Sequence, residues 1–199
     1  MRGPAGAGSL LAMARAPMAK FMASGFATRV HELDQRIDDW VDRVRGPALD
    51  PVFYGLSSAA DHGLLWLGIG AVKAAHEGDP VMGLKLGAAM GIESALTNGP
   101  IKMMFRRVRP TEDTPLEEPL PYGMHRPRTS SFPSGHATSA FTAAMLLADS
   151  PLAPAYFALA VAVAGSRVYT KMHHTSDIAV GAVLGIGMGM LARRLLPLN

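Results

Sequence analysis

The chain has 199 residues, of which 49% are apolar and only 18% are charged, and its formal net charge is +3. Soluble domains average about 25% charged residues, so this composition excludes a largely disordered chain and indicates a membrane protein. So small a net charge gives no support for a nucleic-acid partner. Because the chain contains no cysteine, disulfides, thiolate zinc sites and cysteine nucleophiles are also excluded.

The N-terminal segment, residues 1–29, carries four basic residues, no acid and two prolines. It lacks the compact apolar core of a signal peptide. We expect a weakly ordered segment ahead of a single helical domain over residues 30–199. A transit peptide and an over-long start are the alternatives.

Residues 30–45 predict an amphipathic helix, because apolar residues recur at helical spacing and Gly46-Pro47 ends it. Glu32, Asp39 and Asp42 lie on the opposite, acidic face. An acidic polar face is not that of a basic membrane-surface binder. We therefore expect this helix to pack along the bundle at the membrane interface, with Trp40 as an anchor.

Five apolar segments follow this helix, with no strand-like alternation, and they predict an all-α fold. The segments cover residues 53–75, 81–104, 134–149, 153–169 and 177–191. A membrane span needs roughly 17–25 residues, so these are marginal spans, and helices packed in a bundle are the alternative. The prediction is a polytopic membrane bundle of about five core helices plus the interfacial helix. If all five segments cross, the connections 102–135 and 166–176 lie on one side together with the N-terminus.

The first reactive cluster is Lys102-x6-Arg109-Pro110, at the end of the second apolar segment. Two turns of helix take about 7.2 residues, so both cations can point the same way. Such a pair suits a multiply charged oxyanion, because arginine can bind two oxygens at once. The alternative is the positive flank of a membrane helix.

The second cluster is Pro133-Ser134-Gly135-His136, immediately before an apolar helix. Ser134 is a good N-cap, and free amides at the start of that helix would form an anion site. Gly135 lets the backbone approach a ligand, and His136 in the first turn points at the same ligand. A capped turn with an interfacial histidine is the structural alternative.

The third cluster is Ser166-Arg167-x5-His173-x3-Asp177. On a helix, His173 and Asp177 share a face, and a carboxylate on one ring nitrogen raises the basicity of the other. That arrangement makes a histidine a nucleophile or a base. His174, three residues before Asp177, is an alternative partner for it.

The three clusters together predict a phosphoryl-group site with a histidine nucleophile on one face of the protein. No cluster of carboxylates accompanies them, so we expect no Mg²⁺ or Ca²⁺ site, no other metal and no cofactor. A site among apolar helices at a membrane face suits a lipid phosphate.

In this order, the three clusters resemble the signature of the type-2 phosphatidic acid phosphatase superfamily. That signature reads K-x6-R-P, then P-S-G-H, then S-R-x5-H-x3-D, and this chain matches every position with the same internal spacings. The similarity covers about residues 40–192, because Gly46-Pro47 and Asp61-His62-Gly63 also look like the family.

The resemblance implies a role for each matching residue. His173 forms a phosphohistidine, Asp177 orients it, and His136 protonates the leaving oxygen and then activates water. The family spacing from Arg167 selects His173 rather than His174. The residues implied to bind the phosphoryl oxygens are Lys102, Arg109, Ser134, Gly135 and Arg167.

The implied reaction is metal-independent hydrolysis of a membrane lipid phosphate or diphosphate. The chain looks most like small bacterial isoprenoid-phosphate members, including those similar to presqualene diphosphate phosphatases. A related bacterial alternative acts on a polyprenyl-phosphate-linked sugar phosphate in cell-wall synthesis. Phosphatidate and phosphatidylglycerophosphate phosphatases are further alternatives.

The connection from Thr111 to Ser131 joins the two phosphate clusters, and we expect it to distinguish between head groups. Its candidate contacts are Tyr122, His125 and Arg126. For each of these residues, a solvated connection is the structural alternative.

Two other functions must be weighed against hydrolysis. Vanadium haloperoxidases share this phosphate site, but this chain is shorter and more apolar than those soluble proteins. A non-catalytic lipid-binding protein would leave a gap in the catalytic set, and the sequence has none.

The expected location is a bacterial cell membrane, crossed several times. The distribution of lysine and arginine places the site in the cytoplasm, but the phosphate-binding cations bias that count and many relatives face outward, so the side stays open. Glycines of the last helix permit close packing either within the chain or between chains of a homo-oligomer. These residues are Gly181, Gly185, Gly187 and Gly189.

Overall fold

The computed structural model describes residues 25–110 and 129–196, and all the regular structure in these two ranges is helical. The described residues form seven α-helices: α1 (Gly25–Val44), α2 (Asp50–Ala59), α3 (Leu64–Glu77), α4 (Pro80–Leu96), α5 (Gly135–Leu146), α6 (Ala153–Tyr169) and α7 (Thr175–Leu195). A 3₁₀ turn, Asp61–Gly63, separates α2 from α3, and a π-helical turn, Thr97–Ile101, extends α4. The all-α prediction is thereby confirmed for these ranges.

The apolar segment predicted over residues 53–75 is not one helix. His62 and Gly63 adopt left-handed backbone angles, with φ of 54° and 74°, and these angles end α2 and redirect the chain into α3. Asp61 lies in the turn between them, and its carboxylate contacts His136 at the start of α5. The break between α2 and α3 therefore places Asp61 beside His136.

Helix α1 begins at Gly25, five residues before the predicted start, and ends at Val44. Asp34 on α1 is buried, whereas Leu33 and Trp40 are more than half exposed. The side of α1 that faces the protein carries Asp34, Asp38 and Asp42, which we call the acidic stripe. Much of the apolar side of α1 therefore faces outward.

Helix α5 lies at the centre of the bundle and packs closely against α7. Three glycines of α7, four residues apart, face α5: Gly181, Gly185 and Gly189. A Cβ atom on Gly185 would lie 2.3 Å from the carbonyl oxygen of Thr138, so the two backbones can approach only without it. Around Gly187 there is no atom within 4 Å of such a Cβ. Three of the four predicted glycines therefore pack within the chain.

The wider core is built on the small side chains of α5. Ala137, Ala140, Ala143 and Ala144 have no solvent exposure. Ala140, Ala143 and Ala144 belong to one apolar cluster with Trp66 of α3 and Leu86 of α4. Because these side chains are small, helices on several sides reach α5, and the ends of those helices meet near its first residue.

Candidate active site

The three sequence clusters meet at the end of the bundle where α5 and α7 begin. Ser134 is the N-cap of α5, as the sequence predicts, and its hydroxyl accepts a bond from the amide of Ala137 at 3.4 Å. The amide of Ser134 donates to the carbonyl of Asp177 in the first turn of α7 at 3.1 Å. This bond and the glycine contacts fix one helix start against the other.

His173 and Asp177 face each other across the turn that leads into α7. The Nδ1 atom of His173 lies 3.7 Å from Oδ2 of Asp177, and both side chains are buried. The amide of His174 donates to the same oxygen at 2.9 Å. The ring of His174 turns away from Asp177, toward Asp38 and the carbonyl of Val108, each at 3.3 Å. The ring beside Asp177 is therefore that of His173.

Arg109 lies on the other side of the His173 ring. Its Nη1 atom is 3.3 Å from Nε2 of His173 and donates to the carbonyl of Met172 at 2.7 Å. Its Nη2 atom donates to the carbonyls of Thr129 and Ser130, each at 3.2 Å. A guanidinium can only donate, so this contact requires the lone pair of His173 on Nε2 and the ring proton on Nδ1, toward Asp177.

Burial lowers the pKa of His173 to about 3. The carboxylate of Asp177 opposes that shift, while the positive charges of Arg167 and Arg109 reinforce it. The imidazole is therefore neutral at physiological pH, and a neutral imidazole has the free lone pair that a nucleophile needs.

Three cations are buried together at this end of the bundle: Lys102, Arg109 and Arg167 are 8%, 1% and 4% exposed. They lie close enough to repel one another electrostatically. Arg167, near the end of α6, donates to the hydroxyl of Ser57 on α2. A group of buried like charges is costly unless an anion joins it, so this arrangement favours a multiply charged anion beside His173.

His136 lies in the first turn of α5, and its Nε2 atom is 2.8 Å from Oδ1 of Asp61. Its ring interacts electrostatically with Lys102 and Arg167, so it borders the same cation cluster. Gly135 lies beside it, and a Cβ there would lie 2.8 Å from Oδ1 of Asn98, so the Asn98 side chain would have to move. The site thus has a histidine–carboxylate pair on each side of the cations.

The substrate-loop candidates Tyr122, His125 and Arg126 lie outside the described residues. Within the ranges that the structure does describe, no three His, Asp or Glu side chains are grouped to hold a metal ion. The other predicted site residues are all placed at the end of the bundle described above.

Sequence reasoning gave no role to four residues at this site: Asp34, Ser57, Asp61 and Arg107. Asp61 had a usable signal, because an ionisable residue inside an apolar segment indicates a functional or partnered position. Arg107 lies unmarked inside the six variable positions of the first motif. Asp34 and Ser57 have no such signal, since their roles depend on tertiary contacts.

Comparison with known families and proteins gives consistent results. The model of the PAP2 superfamily matches residues 82–199. The decaprenylphosphoryl-5-phosphoribose phosphatase of Mycobacterium tuberculosis is 32% identical over 154 residues, which are 76% of this chain and 81% of that protein. The enzyme of the same name from Mycolicibacterium smegmatis is 32% identical over 127 residues, covering 63% of this chain and 67% of its own length.

Two crystal structures resemble the fold. A transmembrane PAP2-type phosphatidylglycerolphosphate phosphatase from Bacillus subtilis matches with a TM-score of 0.67 and 22% identity, over 94% of each chain. LpxE from Aquifex aeolicus matches with a TM-score of 0.65 and 24% identity, over 81% of this chain and 95% of its own. At these identities the likeness concerns the fold alone.

Proposed function

Because the chain belongs to the PAP2 superfamily, we propose that it is a membrane phosphatase that hydrolyses a phosphate ester carried by a polyprenyl lipid. The curated relatives act on decaprenylphosphoryl-5-phosphoribose by their names. The favoured substrate is therefore a polyprenyl-phosphate-linked sugar that bears a phosphate monoester. The observation that carries the proposal is the group of three buried cations beside His173, of which Arg109 contacts Nε2 and Arg167 acts electrostatically on the ring.

In the proposed first step, Nε2 of His173 attacks phosphorus and the bond from phosphorus to the sugar oxygen breaks. The phosphoryl group becomes bonded to Nε2, and the sugar oxygen takes a proton from His136. In the second step, His136 accepts a proton from water, the resulting hydroxide displaces His173, and inorganic phosphate leaves. Neither of the two proposed steps requires a metal or a cofactor.

The residues proposed to bind the phosphoryl group are those that can stabilise its negative charge. Negative charge spreads over the phosphoryl oxygens in the transition state, so donors already fixed around them lower the barrier. Lys102, Arg109 and Arg167 are buried and surround the position that the phosphoryl group would take. Ser134 and the amide of Gly135 lie at the positive end of the α5 helix dipole, which favours the same negative charge.

The two carboxylates have matching tasks in this scheme. Asp177 faces Nδ1 of His173 at 3.7 Å and would stabilise the imidazolium that forms when Nε2 is phosphorylated. Asp61 orients the ring of His136 through the 2.8 Å contact. Asp61 is thus a proposed part of the acid–base machinery, in addition to the residues of the three sequence motifs.

We place the bundle in a bacterial cell membrane as a single multi-pass domain. Helix α7 alone among the described helices is both long and apolar enough to cross by length and composition. Helices α4 and α6 have 17 residues each, a length of about 26 Å at 1.5 Å per residue. Exposed apolar residues on these helices support a lipid-facing surface: Leu84, Ile92, Val161, Val183 and Leu195.

Phosphate release by the detergent-purified protein in excess EDTA tests this function. The panel contains a polyprenyl-phosphate-linked phosphoribose, a polyprenyl diphosphate, phosphatidate, phosphatidylglycerophosphate and a soluble sugar phosphate. We expect EDTA-resistant release that is fastest with the first substrate, because both tail and sugar phosphate match those named for the relatives.

The matched variants are His173→Ala and His174→Ala, which remove neighbouring rings of which only the first lies beside Arg109 and Asp177. Loss of a nucleophile costs several orders of magnitude in rate, so release should disappear only in His173→Ala. Preference for phosphatidate or phosphatidylglycerophosphate would overturn the polyprenyl assignment. Release abolished by EDTA would overturn the metal-free mechanism.

A further inference from the structure

Arg107 joins two carboxylates that belong to different parts of the protein. Its Nη1 atom donates to Oδ1 of Asp177 at 2.6 Å and to the hydroxyl of Ser176 at 2.7 Å. Its Nη2 atom donates to Oδ2 of Asp34 at 2.6 Å. One guanidinium therefore links helix α1 to the carboxylate that faces His173.

Asp34 holds the same stretch of chain from the other side. Its Oδ1 atom accepts the amide of Ser176 at 2.8 Å, and its Oδ2 atom accepts the Ser176 hydroxyl at 2.6 Å. Asp34 is 1% exposed, although it is a carboxylate on an outer helix. A buried carboxylate with this many donors is fixed in orientation, and it fixes the arginine and the serine in turn.

Arg107 affects the proposed nucleophile, His173, through the orientation of the Asp177 carboxylate. Its Oδ1 atom is held by Arg107 and its Oδ2 atom by the amide of His174, so the plane of the carboxylate is set from both ends. Oδ2 is also the atom nearest to Nδ1 of His173. The contact between Arg107 and Oδ1 thus orients the carboxylate that the His173 ring faces.

We infer that Arg107, clamped by Asp34 of α1, is a positioning residue for the His173–Asp177 pair. Arg107 does not touch the reacting atoms; it acts through Asp177. The inference rests on the proposed function, because it concerns the same nucleophile. It also makes α1, which lies outside the three sequence motifs, a working part of the active site.

The first test compares Arg107→Met with Arg106→Met, since Arg106 is an exposed neighbour. Loss of a residue that orients a reactive side chain typically costs about 10–100-fold, so kcat of Arg107→Met should fall by that factor. KM should stay within about threefold, because the cations that bind phosphate are unchanged. For the same reason, inhibition by inorganic phosphate should be unchanged. Arg106→Met should match the wild type.

The second test uses Asp34→Asn with Asp39→Asn as its control, since Asp39 lies exposed on the same helix. Asparagine keeps the shape of Asp34 and removes its charge, so this pair decides the matter if Arg107→Met does not fold. We expect a lower kcat for Asp34→Asn alone. In the Arg107→Met background, Asp34→Asn should cost less than it does in the wild type, because Asp34 acts in part through Arg107 and in part through Ser176.

Arg107→Lys separates positioning from net charge. A lysine keeps the positive charge but offers a single nitrogen, which cannot hold Asp34 and Asp177 as two arms of a guanidinium do. We expect kcat between those of Arg107→Met and the wild type, again with KM unchanged.

Equal kcat in Arg106→Met and Arg107→Met, or a loss confined to KM, would overturn the inference. Additive losses in the double variant would also overturn it. In either case the wild type would still release phosphate and the proposed function would stand. Failure of the wild type on every substrate would instead refute the proposed function.

Discussion

The pair α5–α7 and the helix α1 both hold the site, but they are built in opposite ways. Helices α5 and α7 meet through glycine, alanine and backbone, close enough that Thr142 donates a bond to the carbonyl of Gly185 at 3.1 Å. Helix α1 packs Ile37 and Val41 against a small apolar cluster with Tyr169, and it meets residues 170–176 through charged side chains. Steric fit therefore fixes one half of the site, and electrostatics fixes the other.

The acidic stripe of α1 contacts three successive parts of residues 170–176, which span the turn before α7 and its first two residues. We call this segment the catalytic loop after the proposed nucleophile His173. Asp42 and the backbone of Asp38 accept bonds from Lys171 at 2.9 and 2.8 Å. Asp38 also lies 3.3 Å from the ring of His174, and Asp34 binds Ser176. The loop that carries His173 is thus held along its length by carboxylates at i, i+4 and i+8.

This difference shows that an amphipathic helix does not always bury its apolar side. In α1 the acidic side meets the catalytic loop, and Phe26, Leu33 and Trp40 face outward. In water such an orientation would be costly, whereas at a lipid surface the same side chains would be buried by the membrane. The orientation of α1 therefore fits the interfacial position that we propose for it.

The largest effect is expected from adding one methyl group between α5 and α7, which tests whether steric fit holds this pair of helices. A Cβ in Gly185→Ala would lie 2.3 Å from the oxygen of Thr138, which is backbone and cannot swing aside. Overpacking of this kind costs about 1–3 kcal/mol or more, so we expect a marked fall in the unfolding temperature and loss of phosphate release. Thermal unfolding in detergent and the phosphate assay measure both effects.

Gly187→Ala is the matched control, on the same helix and two residues away. No atom lies within 4 Å of its added carbon, and alanine is favoured over glycine in a helix by roughly 0.8–1 kcal/mol. This variant should be at least as stable as the wild type. Equal behaviour of the two variants would mean that steric fit does not hold the α5–α7 pair.

A smaller effect is expected in the pH profile of the reaction. It tests the part of the site that α1 contacts, because His173 is buried in the loop held by α1. Burial lowers the pKa of His173 to about 3, so its neutral, reactive form persists from pH 7 down to about pH 4. A phosphate monoester has its second pKa near 6, so below pH 6 the substrate gains a proton while His173 does not. Protonation of His173 should therefore add nothing to the acid limb of the plot of log kcat/KM against pH.

An ordinary histidine, with a pKa of about 6.5, would add a second protonation over the same range. The acid limb would then be steeper. That result would show that the His173 ring is solvated in the working enzyme, contrary to the buried position described above.

Local features of the fold were readable from the sequence where a short stretch determines them. Helix α6 occupies residues 153–169 as predicted, and Ser134 caps α5 because serine before an apolar run is a strong N-terminal signal. The glycines of α7 were recognised as packing residues. Their partner was not, because a sequence pattern identifies a helix face without identifying what covers it.

The features that the sequence did not reveal depend on contacts between distant segments. The break at His62 and Gly63 interrupts an apolar run that reads as continuous. The acidic side of α1 faces Lys171, His174 and Arg107, and these contacts join residues 73 or more positions apart along the chain. Periodicity correctly predicted that α1 has two faces, and it could not predict which face would meet the protein.

Trapping of the phosphorylated protein tests the proposed covalent role of His173 most directly. A substrate labelled with ³²P in an ester to a leaving group that needs no proton, such as a nitrophenol, would be mixed with His136→Ala protein. Only the second step is then slow, because no base activates water. We predict a protein-bound label that survives alkali, is lost in acid, and maps to the peptide containing His173. The label should be absent when His173→Ala is added to His136→Ala. A label on another residue, or phosphate release with no labelled protein, would contradict the mechanism.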